Sequence, residues 1–248
     1  MLKTTKALVL REAKYKESQK ILTMLSETYG KITATAYGAY GKKSVLASST
    51  QHLTYSEFVL EEKNGRVSIK EGITVEPFSE LREDYSDYSL ACYFADCMDF
   101  FCMEATPDLD LLRLILNSLY ALSKRMYSSG HIKAAFELKL MSLTGFKPDI
   151  SSCRECGCVI PDDPVFCYES GCLCCRACRK SSMGNGIGIS QDALAAMRHV
   201  LSHNLKNFLS FQIDEASEEN MCNAAEAYFR FHSGKTFATL DYWKKIQL

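Results

Sequence analysis

The most chemically reactive part of the chain is one cysteine-rich segment. Eight of the twelve cysteines lie between Cys153 and Cys178. Thiolates bind soft metal ions and also take part in redox chemistry. The spacing of these cysteines therefore bears on whether the segment belongs to a redox protein, a metal enzyme or a metal-stapled scaffold.

The first two cysteines of the segment have the spacing of a metal knuckle. Cys153 and Cys156 are separated by two residues, which lets both sulfurs face one ion, and the glycine that follows eases the tight turn. Two overlapping pairs could complete a tetrahedral site, namely Cys172/Cys175 and Cys175/Cys178, and both lie in the zinc-ribbon range. Four thiolates without a nearby histidine indicate a closed, structural Zn²⁺ site, one per chain.

Other uses of the cysteines stay open on spacing alone. Four thiolates can also hold an iron–sulfur cluster. A redox CxxC pair would need a thioredoxin-like βαβ setting, which the surrounding pattern does not predict. We interpret Cys158, Cys167 and Cys174 as small buried hydrophobes or spare thiols. The cysteines on predicted helices, interpreted as core residues, are Cys92, Cys97, Cys102 and Cys222.

The rest of the sequence shows no pattern of catalytic residues. His199 and His203 are four residues apart on a predicted helix, but no HExxH motif surrounds them. Neither a Walker-type phosphate-binding loop nor a dinucleotide-binding glycine motif is found, so nucleotide use is not expected. We therefore expect a binding protein and not an enzyme.

The first 76 residues have the alternation and turn signals of β-strands. The predicted strands are Thr4–Leu10, Ile21–Leu25, Lys31–Tyr37, Leu53–Leu60 and Val67–Ile73. Gly30 is available for a left-handed turn position, and Asn64-Gly65 is a strong hairpin signal. Five short strands fit a small closed barrel of the OB-fold type, and an SH3-like barrel would also fit.

From Pro77 onward the apolar period becomes helical. Helices are predicted at 79–103, 106–128, 132–143, 190–203 and 217–232, and the segment MGNGIG is interpreted as a connector. Thr106 is the predicted N-cap of the second helix, with Pro107 at its first position. The predicted fold is multidomain β + α. A five-stranded barrel occupies residues 1–78, and an all-α helical bundle occupies 79–248, with a zinc-ribbon-like module inserted at 150–182.

The net charge of −1 is unevenly distributed. Residues 1–50 carry nine Lys/Arg and three Glu, a net of +6, whereas residues 80–152 carry seven basic and eleven acidic residues, a net of −4. A basic end indicates either a polyanion-binding face or an ordinary solvated surface. The N-terminus lacks a signal-peptide pattern and no apolar run is long enough for a membrane span, so we expect a cytoplasmic protein with reduced thiols.

The order of these parts resembles the RecO family of bacterial recombination mediators over essentially the whole chain. The segments that carry the resemblance are ALVLREAKYKESQKILTMLSETYGKITATAYGA, FELKLMSLTGFKPDISSCRECG with a returning CxxC, and YFRFHSGKTFATLDYW. The resemblance implies that residues 1–78 form an OB-fold DNA-binding domain. It implies binding to ssDNA and dsDNA, annealing of complementary strands and a nucleoid-associated location. It also implies two partners, RecR and the acidic C-terminal tail of single-stranded DNA-binding protein (SSB), and help in loading RecA onto SSB-coated ssDNA.

The resemblance also bears on the zinc ligands. Before its second CxxC the family usually has Gly-Gly and two aliphatic residues, and here that stretch is GCLC, beginning at Gly171. The resemblance therefore implies that Cys172 and Cys174 are substitutions, although Cys172 stays a competing ligand. The implied zinc ligands are Cys153, Cys156, Cys175 and Cys178.

A basic OB-fold can hold a phosphate backbone in its groove while aromatic side chains stack on bases. The DNA-binding candidates are Arg11, Lys14, Lys16, Lys20, Tyr37, Tyr40, Lys42 and Lys43. The acidic SSB tail would need a basic rim, for which the candidates are Arg125, Lys133 and Lys139. The family commonly has basic residues where Tyr40 and Gly41 stand, so we expect fewer phosphate contacts and a shallower salt dependence.

Two other functions stay open from the sequence. A zinc-ribbon factor that binds RNA or acts in transcription would keep the metal and the basic face but change the nucleic acid. A thiol oxidoreductase would use the spare cysteines, and it requires an exposed thiol with a low pKa.

Overall fold

The computed structural model describes residues 2–40 and 44–247, so the predicted DNA-binding residues Lys42 and Lys43 lie outside the described residues. The chain packs as two compact units, one built from Met1–Lys124 and Phe237–Leu248 and the other from Arg125–Thr236. The predicted domain boundary at residue 78 stays a prediction.

The first unit contains a five-stranded closed barrel, as predicted. Its strands are β1 (Leu2–Tyr15), β2 (Gln19–Ser26), β3 (Gly30–Ala36), β4 (Tyr55–Lys63) and β5 (Arg66–Glu76). The order around the barrel is β1-β2-β3-β5-β4, in which β3 and β5 are parallel and the other pairs are antiparallel. A five-stranded barrel with this closure has the architecture of an OB-fold.

Alternate side chains of the strands point inward and fill the barrel, as the period of two requires. Leu22, Met24 and Phe58 are among the side chains with no exposed surface. The β4–β5 hairpin turns at Asn64-Gly65, where both residues have positive φ (52° and 71°), which is the type I′ pattern. Gly30 has φ +64°, and a Cβ there would lie 2.3 Å from the carbonyl oxygen of Thr106, so glycine is required.

Six α-helices complete the described chain. The first unit contains α1 (Tyr85–Phe101), α2 (Leu109–Ser123) and α6 (Ala238–Ile246), and the second contains α3 (Ser129–Leu143), α4 (Gln191–Ser202) and α5 (Glu215–Ser233). Helix α6, which the sequence did not predict as a separate helix, packs on α1. Within the described ranges, none of these helices is both long and apolar enough to cross a membrane.

The boundaries of α1 and α2 differ most from the prediction. A 3₁₀ turn, Ser79–Glu83, precedes α1, because Asp84 is extended and its carboxylate accepts hydrogen bonds from two backbone N–H groups of α1. Asp108, and not Thr106, caps α2 in the same way. Helix α2 also ends earlier than predicted, since Arg125 has a left-handed φ of 48°.

The cysteine-rich segment of the second unit forms a small sheet that the sequence did not predict in detail. Its strands are β6 (Asp149–Cys153), β7 (Pro164–Cys167), β8 (Cys172–Cys175) and β9 (Ile187–Gly188), in the order β6-β8-β7-β9. Strand β9 belongs to MGNGIG and pairs with β7, so the prediction of a connector was wrong there.

Candidate metal centre and nucleic-acid interface

The small sheet brings four of the cysteines together. Cys153 ends β6 and Cys175 ends β8. Each is followed three residues later by its partner, Cys156 or Cys178. The four sulfur atoms all lie within 4.8 Å of one another, and those of Cys156 and Cys175 are 3.6 Å apart. Zn–S bonds of about 2.3 Å in a tetrahedron place sulfurs about 3.8 Å apart. The donor set therefore fits a four-thiolate metal centre.

The backbone around Cys153 supports a thiolate. The N–H of Gly157 donates to the carbonyl of Cys153 (2.9 Å) and closes the knuckle, and the N–H of Cys175 donates to Cys153 Sγ (3.3 Å). Burial acts to raise the pKa of Cys153, but hydrogen bonds from the backbone of Cys156, Cys175 and Glu155 outweigh it and lower this pKa to about 6. Hydrogen bonds that favour the charged form suit a metal ligand.

Cys172, the competing ligand, lies in a different cluster. Its sulfur lies 3.2 Å from Ser170 Oγ and groups with Cys167 and Cys174, whose three sulfur atoms lie within 4.8 Å of one another. The geometry therefore favours Cys175/Cys178 as the second pair. The exposed Cys158 donates to the carbonyl oxygen of Ile160 (3.3 Å).

The barrel carries an open groove of about 500 Å³. The groove is lined by Glu12, Lys20, Ala39, Tyr40, Ala47, Gln51, His52, Arg82 and Tyr88. The ring of Tyr40 is 44% exposed, and its centroid lies 5.0 Å from Lys20 Nζ and 5.9 Å from Lys14 Nζ. An exposed ring beside ammonium groups offers one surface for a base and another for a phosphate.

The predicted DNA-binding cations differ in how much of their charge is already compensated. Lys14 and Lys16 are exposed at the β1–β2 hairpin, where Lys16 Nζ lies 5.4 Å from the ring centroid of Tyr15. Lys20 is buried, and its Nζ lies 2.6 Å from Glu12 Oε2. The ion pair with Glu12 therefore offsets the positive charge that Lys20 could otherwise offer to a phosphate.

Two further candidates at the barrel face different surroundings. Arg11 makes ion pairs with Asp99 (3.4 Å) and Asp96 (3.8 Å) of α1, which offset its charge. Tyr37 is 56% exposed and follows β3, so its ring is accessible to solvent. The structure thus brings Lys14, Lys20 and Tyr40 together and leaves Arg11 paired to the helix.

Seven of the nine residues that line the groove were missed by the sequence interpretation, and three of these, His52, Arg82 and Tyr88, are joined by hydrogen bonds. Arg82 Nη2 donates to the carbonyl of His52 (2.6 Å), and His52 Nε2 donates to the carbonyl of Leu10 (3.0 Å). His52 Nδ1 then accepts from the hydroxyl of Tyr88 (3.0 Å). Burial lowers the pKa of His52, which favours the neutral ring. No local signal marks these residues, because they come from a loop, a 3₁₀ turn and α1 that meet only after folding.

The three residues predicted to hold an acidic tail do not form one basic rim. Lys133 is buried and makes ion pairs with Glu137 (2.9 Å) and Glu226 (3.0 Å). Lys139 is also buried, and its Nζ donates to the carbonyl of Val200 (3.1 Å) and to that of His203. Both ammonium groups are thus engaged inside the second unit.

The comparison with known proteins covers nearly the whole chain. The family model "Recombination protein O N terminal" matches residues 1–78, and "Recombination protein O C terminal" matches residues 82–241. The chain is 31% identical to the DNA repair protein RecO of Acetivibrio thermocellus, over 98% of this chain and 96% of the relative. It is 29% identical to the DNA repair protein RecO of Alkaliphilus metalliredigens, over 99% and 100% of the two chains.

A third relative, the DNA repair protein RecO of Caldicellulosiruptor bescii, is 28% identical over 98% of both chains. The two family models together span the barrel and most of the helical and cysteine-rich part of the chain. The chain therefore belongs to the RecO family of DNA repair proteins.

Proposed function

We propose that this chain is a non-catalytic DNA-binding mediator of recombination and repair. It binds ssDNA and dsDNA through the barrel and anneals complementary strands. With RecR it helps RecA to load onto ssDNA coated by SSB. Family membership supports the partners RecR, RecA and SSB, and the barrel groove supports the contact with DNA.

The observation that supports the proposal is the exposed Tyr40 in the groove, with the ammonium of Lys14 5.9 Å from its ring centroid. The ammonium of Lys14 can neutralise a phosphate without first breaking an ion pair of the kind that holds Lys20. The Tyr40 ring can stack on a base, an interaction of about 1–3 kcal/mol per base. Both contacts are independent of the base sequence of the DNA, which suits a protein that must act on any damaged region.

We also propose that the four-cysteine centre holds a structural Zn²⁺. All four donors are thiolates, and a closed site of this kind leaves no position for a catalytic water. The role of the metal is then to hold the small sheet together. The SSB tail is proposed to bind the helical region, where Arg125 is the exposed one of the three predicted cations.

Binding of a fluorescent oligo-dT strand tests the groove. We expect Lys14→Gln to weaken binding and to reduce the slope of log K against log salt by about 0.7, since one phosphate contact is lost. Tyr40→Leu should weaken binding about tenfold or more with little change in that slope, because stacking releases no counterions. Fluorescence anisotropy over a range of salt concentrations measures both quantities.

Lys70→Gln is the matched control, because Lys70 lies on the barrel but makes an ion pair with Glu61 (2.7 Å). It should change binding much less than Lys14→Gln does. Equal effects of all three variants, or no effect of any, would contradict the proposed groove. Equal competition by a structured RNA would instead favour the zinc-ribbon RNA-binding alternative.

A further inference from the structure

A second group of sulfur atoms lies in the core of the small sheet and has no part in the proposed function. The sulfur atoms of Cys167, Cys172 and Cys174 all lie within 4.8 Å of one another. The three residues are 0%, 4% and 0% exposed. These thiols are separate from the four of the proposed zinc centre, although both groups share one buried cluster.

The hairpin of β7 and β8 dictates this arrangement. The two strands are antiparallel, and Cys167 is directly opposite Cys172. Cys174 follows Cys172 by two residues and so projects from the same face of the sheet. Leu173 and Cys175 project from the other face, which separates the three thiols from the zinc ligand in the same strand.

A fourth sulfur completes the surroundings. Met183 is buried, and its Sδ lies 3.1 Å from Cys174 Sγ. The Ser170 hydroxyl lies 3.2 Å from Cys172 Sγ and donates to the carbonyl of Met183 (2.9 Å), so it links the cysteine to the methionine backbone. The three thiols and the thioether form a donor set that is soft throughout.

The donor set selects the kind of ion. Structural zinc sites use four strong donors, whereas thiolate and thioether ligands together favour Cu(I). Three sulfurs in a plane around one ion, with metal–sulfur bonds of about 2.3 Å, would be about 4.0 Å apart. The three sulfur atoms lie within 4.8 Å of one another, so they would need to move together only slightly to bind one ion. Burial raises the pKa of the Cys167 thiol, and the nearby Arg179 acts in the opposite direction, so a cation is present to offset part of the negative charge of the thiolates.

We propose that Cys167, Cys172 and Cys174 form a second metal site, which binds one Cu(I) ion through three thiolates with the Met183 thioether beside it. Binding forms three Cu–S bonds and releases the thiol protons to solvent. The ion enters as Cu(I), so no oxidant or reductant is required. The inference is independent of DNA binding, because it rests on the thiols of the second unit alone.

The test is a titration of the reduced, zinc-loaded full chain with Cu(I) under anaerobic conditions, in the presence of a competing Cu(I) chelator. Copper and zinc per chain are then measured on the desalted protein. We expect one copper to be retained per chain while the zinc content stays constant. Copper uptake only with equal loss of zinc would overturn the proposal, because the ion would then occupy the four-cysteine centre. Absence of copper uptake would also overturn it.

Two variants assign the site. Cys174→Val should abolish copper retention and leave zinc unchanged, since valine can fill the buried position opposite Val165. Retained zinc shows in the same sample that the small sheet has folded. If Cys174→Val loses zinc, Cys167→Ala serves as the second variant with the same expectation. Unchanged copper retention in a variant that keeps its zinc would contradict the assignment.

Cys102→Ala is the matched control. Cys102 is buried and its Sγ also lies near a methionine, 4.0 Å from Met98 Sδ, but it belongs to neither of the cysteine groups found among the described residues. This variant should retain one copper and one zinc. If it loses copper as Cys174→Val does, the uptake reflects cysteine content and not the proposed site.

Discussion

At the residue scale, Lys133 balances the charge of two acidic side chains in the second unit. Lys133 Nζ lies between the carboxylates of Glu137 and Glu226, and Glu137 has no exposed side-chain surface. Burial acts to lower the pKa of Lys133, but the two carboxylates outweigh it and keep this pKa above its ordinary value. Lys133 is therefore charged, and its role is to neutralise these acids.

Replacement of this lysine should be strongly destabilising. We expect Lys133→Met to lower the free energy of unfolding by about 3–5 kcal/mol, because the mutation breaks a buried ion pair and leaves the Glu137 carboxylate buried without this cation. Urea unfolding measures the change. Lys147→Met, at an exposed position, is the control and should stay within about 0.5 kcal/mol of the wild type. A loss for Lys133→Met no larger than that of the control would contradict the role of the pair.

A buried histidine gives the second unit a pH-dependent stability. His131 stacks between Tyr127 and Phe211, with ring centroids 4.6 and 3.9 Å away, and its Nε2 donates to the carbonyl of Leu209 (3.1 Å). Burial lowers the pKa of His131 from 6.5 to about 4. The folded state thus favours the neutral ring, so this stabilisation is complete above pH 6.5 and is lost as the pH falls toward 4.

The matching variant is His131→Gln, whose amide can still donate to the carbonyl of Leu209. The difference in unfolding free energy between wild type and variant should shrink by about 3 kcal/mol between pH 7 and pH 4, since each pKa unit corresponds to about 1.4 kcal/mol. Urea unfolding at several pH values measures this difference. A difference that is constant across this range would show that His131 titrates alike in the folded and unfolded states.

At the element scale, the small sheet depends on two CxxC turns and hence on the proposed metal. We expect Cys153→Ser to remove the bound zinc and to destabilise the second unit, because metal binding free energy is also folding free energy. Metal content by mass spectrometry and thermal unfolding together check this. Cys172→Val is the matched variant and should keep its zinc. The opposite result, zinc lost with Cys172→Val and kept with Cys178→Ser, would make Cys172/Cys175 the second pair.

Local signals predicted most elements but not the contacts between them. Gly30, Asn64-Gly65 and Gly234 have the positive φ values that their turn or cap positions required. Helices α1 and α2 begin later than the predicted starts at residues 79 and 106, because the carboxylates of Asp84 and Asp108 cap them. Strand β9 was missed since two residues carry no periodicity, and it forms only by pairing with β7.

Site residues could be predicted where they lie close together in the sequence. Both CxxC pairs could be read from spacing, and the resemblance favoured Cys175/Cys178, as the geometry does. The burial of Lys20 against Glu12 could not be read, because it depends on the β1–β2 register that pairs these strands. The three-thiol group has a signal, the alternation in CLCC across a hairpin from Cys167, which becomes informative only once β7 and β8 are known to pair.

At the scale of the whole molecule, the two units carry different parts of the proposed function. The barrel unit contains the groove proposed for DNA, with Tyr40 in its lining and Lys14 close to that ring. The other unit contains the proposed metal centre and the helical region proposed for the SSB tail. Annealing needs two strands to be held near each other while they form base pairs, and no covalent bond is made or broken. It should therefore proceed without ATP, and its rate should fall as salt rises.

The most direct test is annealing of complementary strands by the purified chain without ATP, with the strands either bare or coated by SSB. We expect faster annealing than the spontaneous reaction in both cases, and loss of this acceleration when Tyr40→Leu and Lys14→Gln are combined. Acceleration of bare strands alone would limit the proposal to DNA binding and annealing without the SSB partner. Failure to accelerate annealing of either kind of strand, with the protein folded and zinc-loaded, would contradict the central claim.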